Sequence, residues 1–243
     1  VTGKAKGVPR AGCPVIDDIP EEVQSIYVRL RDKYQLGFEP LTVRGRRFRF
    51  LNVTDLSPFI EGKNPMLSPS EFPFWVKIWE SAMVLADFLA HISSEPPKRV
   101  LELGAGLGVS GLVAASYGHE VTITDMEDEV LDFSRISAAV NGCKNVTFSR
   151  LDWLSPSDTL GQFDLIVGSE VLFSERFFQP LLKVFELYLK PDGVIYLAHD
   201  VRRQSLVRFF PLCEPHYKIG VQKFTMKAKG EALEILLTRL MKG

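Results

Sequence analysis

Cysteine is scarce: Cys13, Cys143 and Cys213 are the only three, they lie far apart, and no CxxC pair or Cys/His cluster accompanies them. That excludes a disulfide framework and a thiolate zinc site, and it points to a reducing, cytoplasmic setting. Net charge is almost absent as well. Lys and Arg number 29 against 30 Asp and Glu, leaving −1, so no global field draws the chain to nucleic acid or to an anionic membrane, although a local basic patch is not excluded by the sum. Long apolar runs are also missing. Met83–Ile92 is broken by Asp87 and His91 and falls well short of the roughly 20 residues that span a bilayer. Val1–Pro14 is small, basic and rich in Pro and Gly, but no apolar stretch of a secretory signal follows it.

What is present is apolar material. Hydrophobic residues make up 46% and charged residues 24% of the 243 positions, enough to bury a sizeable core without disulfides or metals. Ile19, Val23, Ile26, Tyr27 and Leu30 recur at helical spacing, which predicts an amphipathic helix over Ile19–Tyr34 with Pro20 in its first turn. Leu41–Val43 and Phe48–Val53, joined around Arg44-Gly45, read as a β-hairpin. Thr54–Pro73, with its four prolines and Gly62, reads as a loop or lid. Strand-like and helical runs then alternate, the pattern of βα units around a parallel sheet. Strands are expected at Arg99–Leu103, Glu120–Thr124, Val146–Arg150, Phe163–Gly168 and Val194–Ala198, and helices at Val109–Tyr117, Glu127–Asn141, Arg176–Leu189 and Arg202–Cys213. Tyr217–Met226 and Ala232–Met241 are two strand-length runs separated by Lys227–Gly230, a closing antiparallel hairpin. The fold class expected is therefore α/β, a doubly wound, mostly parallel, Rossmann-like sheet.

The sharpest motif is Val100-Leu101-Glu102-Leu103-Gly104-Ala105-Gly106-Leu107-Gly108, a buried strand running into glycines and then a helix. Glycines let backbone approach a ligand, and the helix start offers unpaired N–H groups. The dinucleotide fingerprint G-x-G-x-x-G fails, because Val109 stands where its last glycine belongs. The spacing G-x-G-x-G behind Glu102 suits a ligand without a pyrophosphate, and Glu102 can accept from an amino group directly or through water. Asp125 ends the next strand, where a carboxylate can take both hydroxyls of a ribose, with Met126 beside the base; alone it is equally an N-cap. Asp152-Trp153 follows the third strand, where the carboxylate can accept from an exocyclic amine. Trp153 reads equally as ordinary core.

In order, these motifs resemble the class I, seven-stranded S-adenosylmethionine-dependent methyltransferases, over roughly residues 72–243. Phe74–Ala82, leading into Leu85 and Leu89, is similar to the segment before the first strand in methyltransferase family sixteen, which contains many protein-lysine methyltransferases. The resemblance implies that Trp79 helps to close the pocket of S-adenosyl-L-methionine, alongside Glu102, Gly104, Ala105, Gly106, Asp125, Met126, Asp152, Trp153 and Ser169; Trp79 reads equally as packing its helix onto the sheet. It also implies an acceptor rim after the fourth strand, where Glu170-Val171-Leu172-Phe173 replaces the family's D-x-x-Y-like motif with glutamate and phenylalanine. Phe173 is alternatively core. Residues 1–71 then form an N-terminal appendage and 72–243 the methyltransferase domain.

A sulfonium methyl is already activated, so the protein works by alignment and exclusion of water, with no nucleophilic Ser, Cys or metal. The expected acceptor is a protein lysine held by Glu170, with Phe173 and Trp75 walling the channel and the proton leaving to water. His199, Asp200 and Arg202, at the carboxyl end of the fifth strand, are candidate acceptor contacts; a lone His there is more often structural, and Arg202 reads equally as a solvated helix start. A small-molecule N- or O-methyltransferase with the 54–73 loop as lid is the alternative, followed by a cofactor-binding module without turnover. The missing glycine argues against an oxidoreductase. No Asn-Pro-Pro-Tyr-type motif follows the fourth strand, so a nucleic-acid substrate is not expected.

Overall fold

The computed structural model describes residues 14–60, 73–228 and 231–243. The N-terminal helix α1 (Glu21–Lys33) buries Val23, Tyr27 and Leu30 and starts directly after Pro20, which stands at the N-cap rather than inside the first turn. β1 (Leu36–Val43) and β2 (Arg46–Val53) form a two-stranded antiparallel sheet turned at Arg44-Gly45. β1 begins five residues before the apolar run suggested, because the register continues from Val43↔Arg46 through Pro40↔Arg49 to Leu36↔Val53. Pro40, with no N–H to give, is tolerated because β1 lies at the edge of that sheet. Of the Thr54–Pro73 loop, Ser57–Ile60 forms a single helical turn, α2, while residues 61–72 lie outside the described part of the chain.

Helices α3 (Glu80–Leu89), α4 (Val109–Ser116), α5 (Asp128–Val140), α6 (Phe178–Tyr188) and α7 (Ser205–Cys213) alternate with β3 (Arg99–Glu102), β4 (Glu120–Asp125), β5 (Val146–Arg150), β6 (Phe163–Ser169) and β7 (Leu189–Asp200), and the chain closes with β8 (Tyr217–Ala228) and β9 (Glu231–Lys242). The last seven strands form one sheet in the order β5-β4-β3-β6-β7-β9-β8, parallel as far as β7, with β9 antiparallel to both its neighbours. The sheet has the Rossmann-like, doubly wound topology expected from the sequence. Its central strands β3, β6 and β7 carry near-continuous apolar runs because helices cover both faces there. Val100, Leu165 and Val167 face the core shared with α3, α4 and α5, whereas Leu101, Ile166 and Ile195 face the one shared with α6 and α7. The strand order reverses between β3 and β6, and the crevice beyond the carboxyl ends there is where such sheets bind ligands.

The N-terminal elements share the first of these cores. Leu36, Phe50 and Leu51 join the cluster of Leu131, Phe133 and Ile136 from α5. Polar contacts fix the docking: Leu51 N–H donates to Ser137 Oγ (2.9 Å), Arg49 N–H to Asn141 Oδ1 (2.9 Å), and Tyr34 Oη to Glu129 Oε1 (2.7 Å). Arg29 pairs with Asp132 and Lys33 with Glu129. Among the described residues no helix is long and apolar enough to cross a membrane.

Candidate active site

Between β3 and α4 the backbone turns three times through the left-handed region, at Gly104 (φ 54°), Gly106 (φ 55°) and Gly108 (φ 72°). Side chains there are strained and here they also meet neighbours: a Cβ at Gly104 would lie 3.1 Å from the Trp153 ring, and one at Gly108 would lie 2.7 Å from Ser134 Oγ. The alternate-glycine spacing is thus a backbone requirement. Ala105 N–H donates to Thr124 O (2.9 Å), and Ser134 Oγ donates to Gly106 O (2.9 Å), which ties the loop to β4 and α5.

Asp125 closes this cradle. Its Oδ2 accepts from Gly106 N–H (2.9 Å) and its Oδ1 from Met126 N–H (2.8 Å). Burial nevertheless pushes its carboxyl above the usual carboxylate range, against the pull of those donors. Met126 stands beside it, exposed. Across the crevice, Asp152 Oδ1 accepts from Leu154 N–H (2.9 Å), and the Trp153 ring lies edge-on to Phe177 (5.4 Å) and 6.4 Å from Phe173.

Glu102 is turned under the loop: its Oε2 accepts from Gly111 N–H (3.0 Å) in the first turn of α4. Desolvation pushes its pKa up to about 8, so the folded state keeps a proton that the unfolded chain releases. Its folded-state pKa being the higher one, this group destabilises the fold increasingly as pH rises from about 4.5 to about 8. Glu102→Gln, which retains an acceptor for Gly111, should therefore raise thermal stability by about 1 kcal/mol or more at pH 8 and change it little at pH 4.5; equal melting temperatures at pH 8 would contradict the buried neutral acid.

On the acceptor side, β6 ends at Ser169 and the chain enters Glu170 with φ 55°, a strained conformation for a residue with a side chain. Three hydrogen bonds hold it there: Glu170 N–H donates to Ala198 O (2.9 Å), Oε1 accepts from Asp200 N–H (2.7 Å), and Oε2 accepts from Arg203 Nε (2.6 Å). Phe173 is 44% exposed and packs on Phe177 at 5.1 Å, so it is a rim residue and not core. Asp200 Oδ1 accepts from Arg202 N–H and Nε, both at 2.9 Å. Trp79 Nε1 donates to Phe74 O (2.6 Å) and the Lys77 ammonium lies 4.6 Å from the centroid of the Trp79 ring. A cleft of about 360 Å3 is lined by Lys77, Trp79, Glu170, Asp200, Arg202 and Arg203, with Ile235 from β9.

Two expected acceptor contacts are placed elsewhere. His199 is fully buried and its Nε2 accepts from Leu172 N–H (3.2 Å), which fixes the proton on Nδ1; it serves the backbone after β6 and does not face an acceptor. Trp75 turns its ring to Phe133 (5.0 Å) and Tyr34, while its backbone backs Gly106. Burial pulls the His199 pKa down to about 3. Its contribution to stability is thus complete above about pH 6.5 and is lost as pH falls toward 3. His199→Gln, still able to accept from Leu172, should flatten the acid limb of a stability–pH curve by about 1.4 kcal/mol per pH unit; an unchanged slope would contradict the neutral buried ring. Sequence reasoning passed over Phe177, whose signal was an aromatic one helical turn after Phe173, and Ile235, which no local pattern connects to the site.

The sheet order, the left-handed glycine loop and the acids at adjacent strand ends define an S-adenosylmethionine-dependent methyltransferase. A family model described as lysine methyltransferase, methyltransferase family sixteen, matches residues 74–216, and the chain belongs to that family. The protein N-lysine methyltransferase METTL21A of Danio rerio is 36% identical over 153 residues, 60% of this chain and 69% of that protein. The histone-arginine methyltransferase METTL23 of Mus musculus is 36% identical over 133 residues, 51% and 53% of the two chains. Among solved structures, a SAM-dependent methyltransferase from Agrobacterium tumefaciens superposes with a TM-score of 0.59 at 18% identity, covering 86% of this chain and 72% of that one, a likeness of fold.

Proposed function

We propose that this methyltransferase acts on a lysine side chain of a protein. The observation that carries the reading lies in the cleft itself: the Lys77 ammonium rests on the face of Trp79 at 4.6 Å with Glu80 Oε1 at 3.8 Å. A place that holds the chain's own alkylammonium by a ring face and a carboxylate has the chemistry to hold an incoming one. The lysine and arginine relatives both act, by name, on protein side chains, which supports a protein acceptor.

The crevice fits the cofactor. Asp125 offers a half-buried carboxylate for the ribose hydroxyls, Met126 an exposed apolar surface for the base, Asp152 an acceptor for its amine, and Gly104, Ala105 and Gly106 a backbone with at most a methyl group in the way. Glu102 and Ser169 flank the loop at the ends of β3 and β6. When bound, S-adenosylmethionine supplies an activated methyl group. The protein's part is to orient the acceptor amine against Trp79, Glu170 and Phe173, strip water from it so that its neutral form is favoured, and release its proton to solvent.

A guanidinium acceptor is the second reading, favoured by the grip of Glu170 on Arg203 at 2.6 Å. A cytoplasmic place of action accords with the free thiols of Cys143 and Cys213. The test is incubation with methyl-labelled cofactor and a lysate of the source organism, followed by acid hydrolysis of the labelled protein fraction. Methyl-lysine is the expected product. Methyl-arginine would select the second reading, and label confined to small molecules or nucleic acid would sink both.

A further inference from the structure

The near-zero net charge of the chain hides a local basic surface. Arg44, Arg46, Arg47 and Arg49 crowd the tip and second strand of the N-terminal hairpin. Two of them have their own duties: Arg44 lies at His91 and Asp87, and Arg46 reaches Ser116 O and stacks 4.1 Å over the Tyr117 ring. Arg47 and Arg49 make no polar side-chain contact among the described residues. They alternate with buried Phe48 and so project from the same face of β2, opposite Thr42 and Pro40 of β1. Both are exposed, and the Arg49 guanidinium is steadied over the Phe38 ring at 5.1 Å, with no carboxylate partner among the described residues.

These two arginines rim a groove of about 670 Å3 that Pro40 and Thr42 on the same face, with Val140 and Asn141 at the end of α5, also line. We infer that this groove docks an acidic, partly apolar extended segment of the protein substrate, an inference that rests on the protein-acceptor reading. Charge complementarity names the occupant: two cationic side chains rooted about 7 Å apart along a strand match the repeat of alternate carboxylates on an extended chain. The apolar lining of Pro40 and Val140 beside them favours a peptide over a nucleic acid, which would need aromatic faces to stack on or a broad basic track.

Position supports a docking role apart from the chemistry. The groove lies at Asn141, the C-terminal end of α5, and Asp125 precedes the other end of that helix; the helix rises about 20 Å between them. A segment held in the groove would reach the carboxyl ends of the strands with about six or more extended residues. Substrate selection is then divided between the cleft, which takes one side chain, and the hairpin, which reads the acidity of the sequence some distance away.

The test is a titration of the full chain with a fluorescein-labelled ten-residue polyglutamate peptide, read by anisotropy without any methyl transfer. The expected result is saturable binding that weakens at high salt and becomes at least tenfold weaker in the Arg47→Ala, Arg49→Ala double variant, with melting temperature and S-adenosylmethionine affinity unchanged. Absence of peptide binding, equal binding by the variant, or tighter binding of a single-stranded RNA of equal length overturns the inference. A failure of the lysine reading shows instead in the labelling experiment and leaves this titration as it is.

Discussion

Asp125→Ala is expected to weaken S-adenosylmethionine binding by about 10- to 150-fold, the equivalent of roughly 1.5–3 kcal/mol for hydrogen bonds to a charged acceptor. The reasoning starts from what the carboxylate already does. It receives Gly106 N–H at 2.9 Å and Met126 N–H at 2.8 Å, so its oxygens are set in place before any ligand arrives, with lone pairs remaining for ribose hydroxyls. Alanine removes both the acceptor and the anchor of the glycine loop. Asp125→Asn keeps one oxygen for Gly106 but replaces the other acceptor by a donor, and should fall between wild type and alanine. Because burial raises the Asp125 pKa, affinity should also begin to fall at a higher pH than an ordinary aspartate would give. Calorimetry with S-adenosylmethionine on the three proteins decides the matter; wild-type affinity in Asp125→Ala would remove this residue from the cofactor site.

The same residue shows how far the sequence could be read. Asp125 ends an apolar, β-prone run and stands in register with a glycine loop whose spacing follows from positive φ at Gly104, Gly106 and Gly108. Such features are local: residue type and spacing determine them, and β5 indeed spans the residues its apolar pattern marks. Contacts across the chain were not legible. Nothing near Glu170 announces that its carboxylate will be taken by Asp200 N–H and by Arg203, which arrive from the end of β7. His199, between Ala198 and the polar turn, reads as an acceptor contact or a structural histidine, and it is the topology that decides: β9 lies antiparallel beside it with Leu236 opposite, and the ring is sealed inside. The amphipathic pattern of α1 likewise says that one face is buried but not that the partner is α5. A periodicity identifies the buried face; only the topology supplies what covers it.

The Glu170 contacts sharpen the acceptor-side prediction. Glu170→Ala should slow single-turnover methyl transfer by tens to hundreds of fold, the effect of losing a positioning contact of roughly 2–3 kcal/mol. Its carboxylate does two things at once, so the loss has two routes. It presents negative charge to the cleft shared with Trp79 and Lys77, and it holds Asp200 N–H and Arg203 in place. Glu170→Gln separates them: the amide oxygen can still accept from Asp200, while the charge that grips Arg203 and would attract an acceptor amine is gone. If Glu170→Gln is as slow as Glu170→Ala, charge dominates; if it recovers most of the rate, the framework around Asp200 matters more. Phe173 provides the control for packing. A buried phenylalanine cut to alanine costs roughly 3–5 kcal/mol of stability, but Phe173 is 44% exposed and touches Trp153 and Phe177 from outside the core, so its truncation should leave the melting temperature nearly unchanged. The expected loss is in transfer rate and in the number of methyl groups added, because the ring beside Trp153 narrows the approach to the crevice. Cofactor affinity, melting temperature and single-turnover rate measured on all three variants test this assignment together. Full activity in Glu170→Ala, or a large melting loss in Phe173→Ala with normal chemistry per folded molecule, would place the acceptor channel elsewhere.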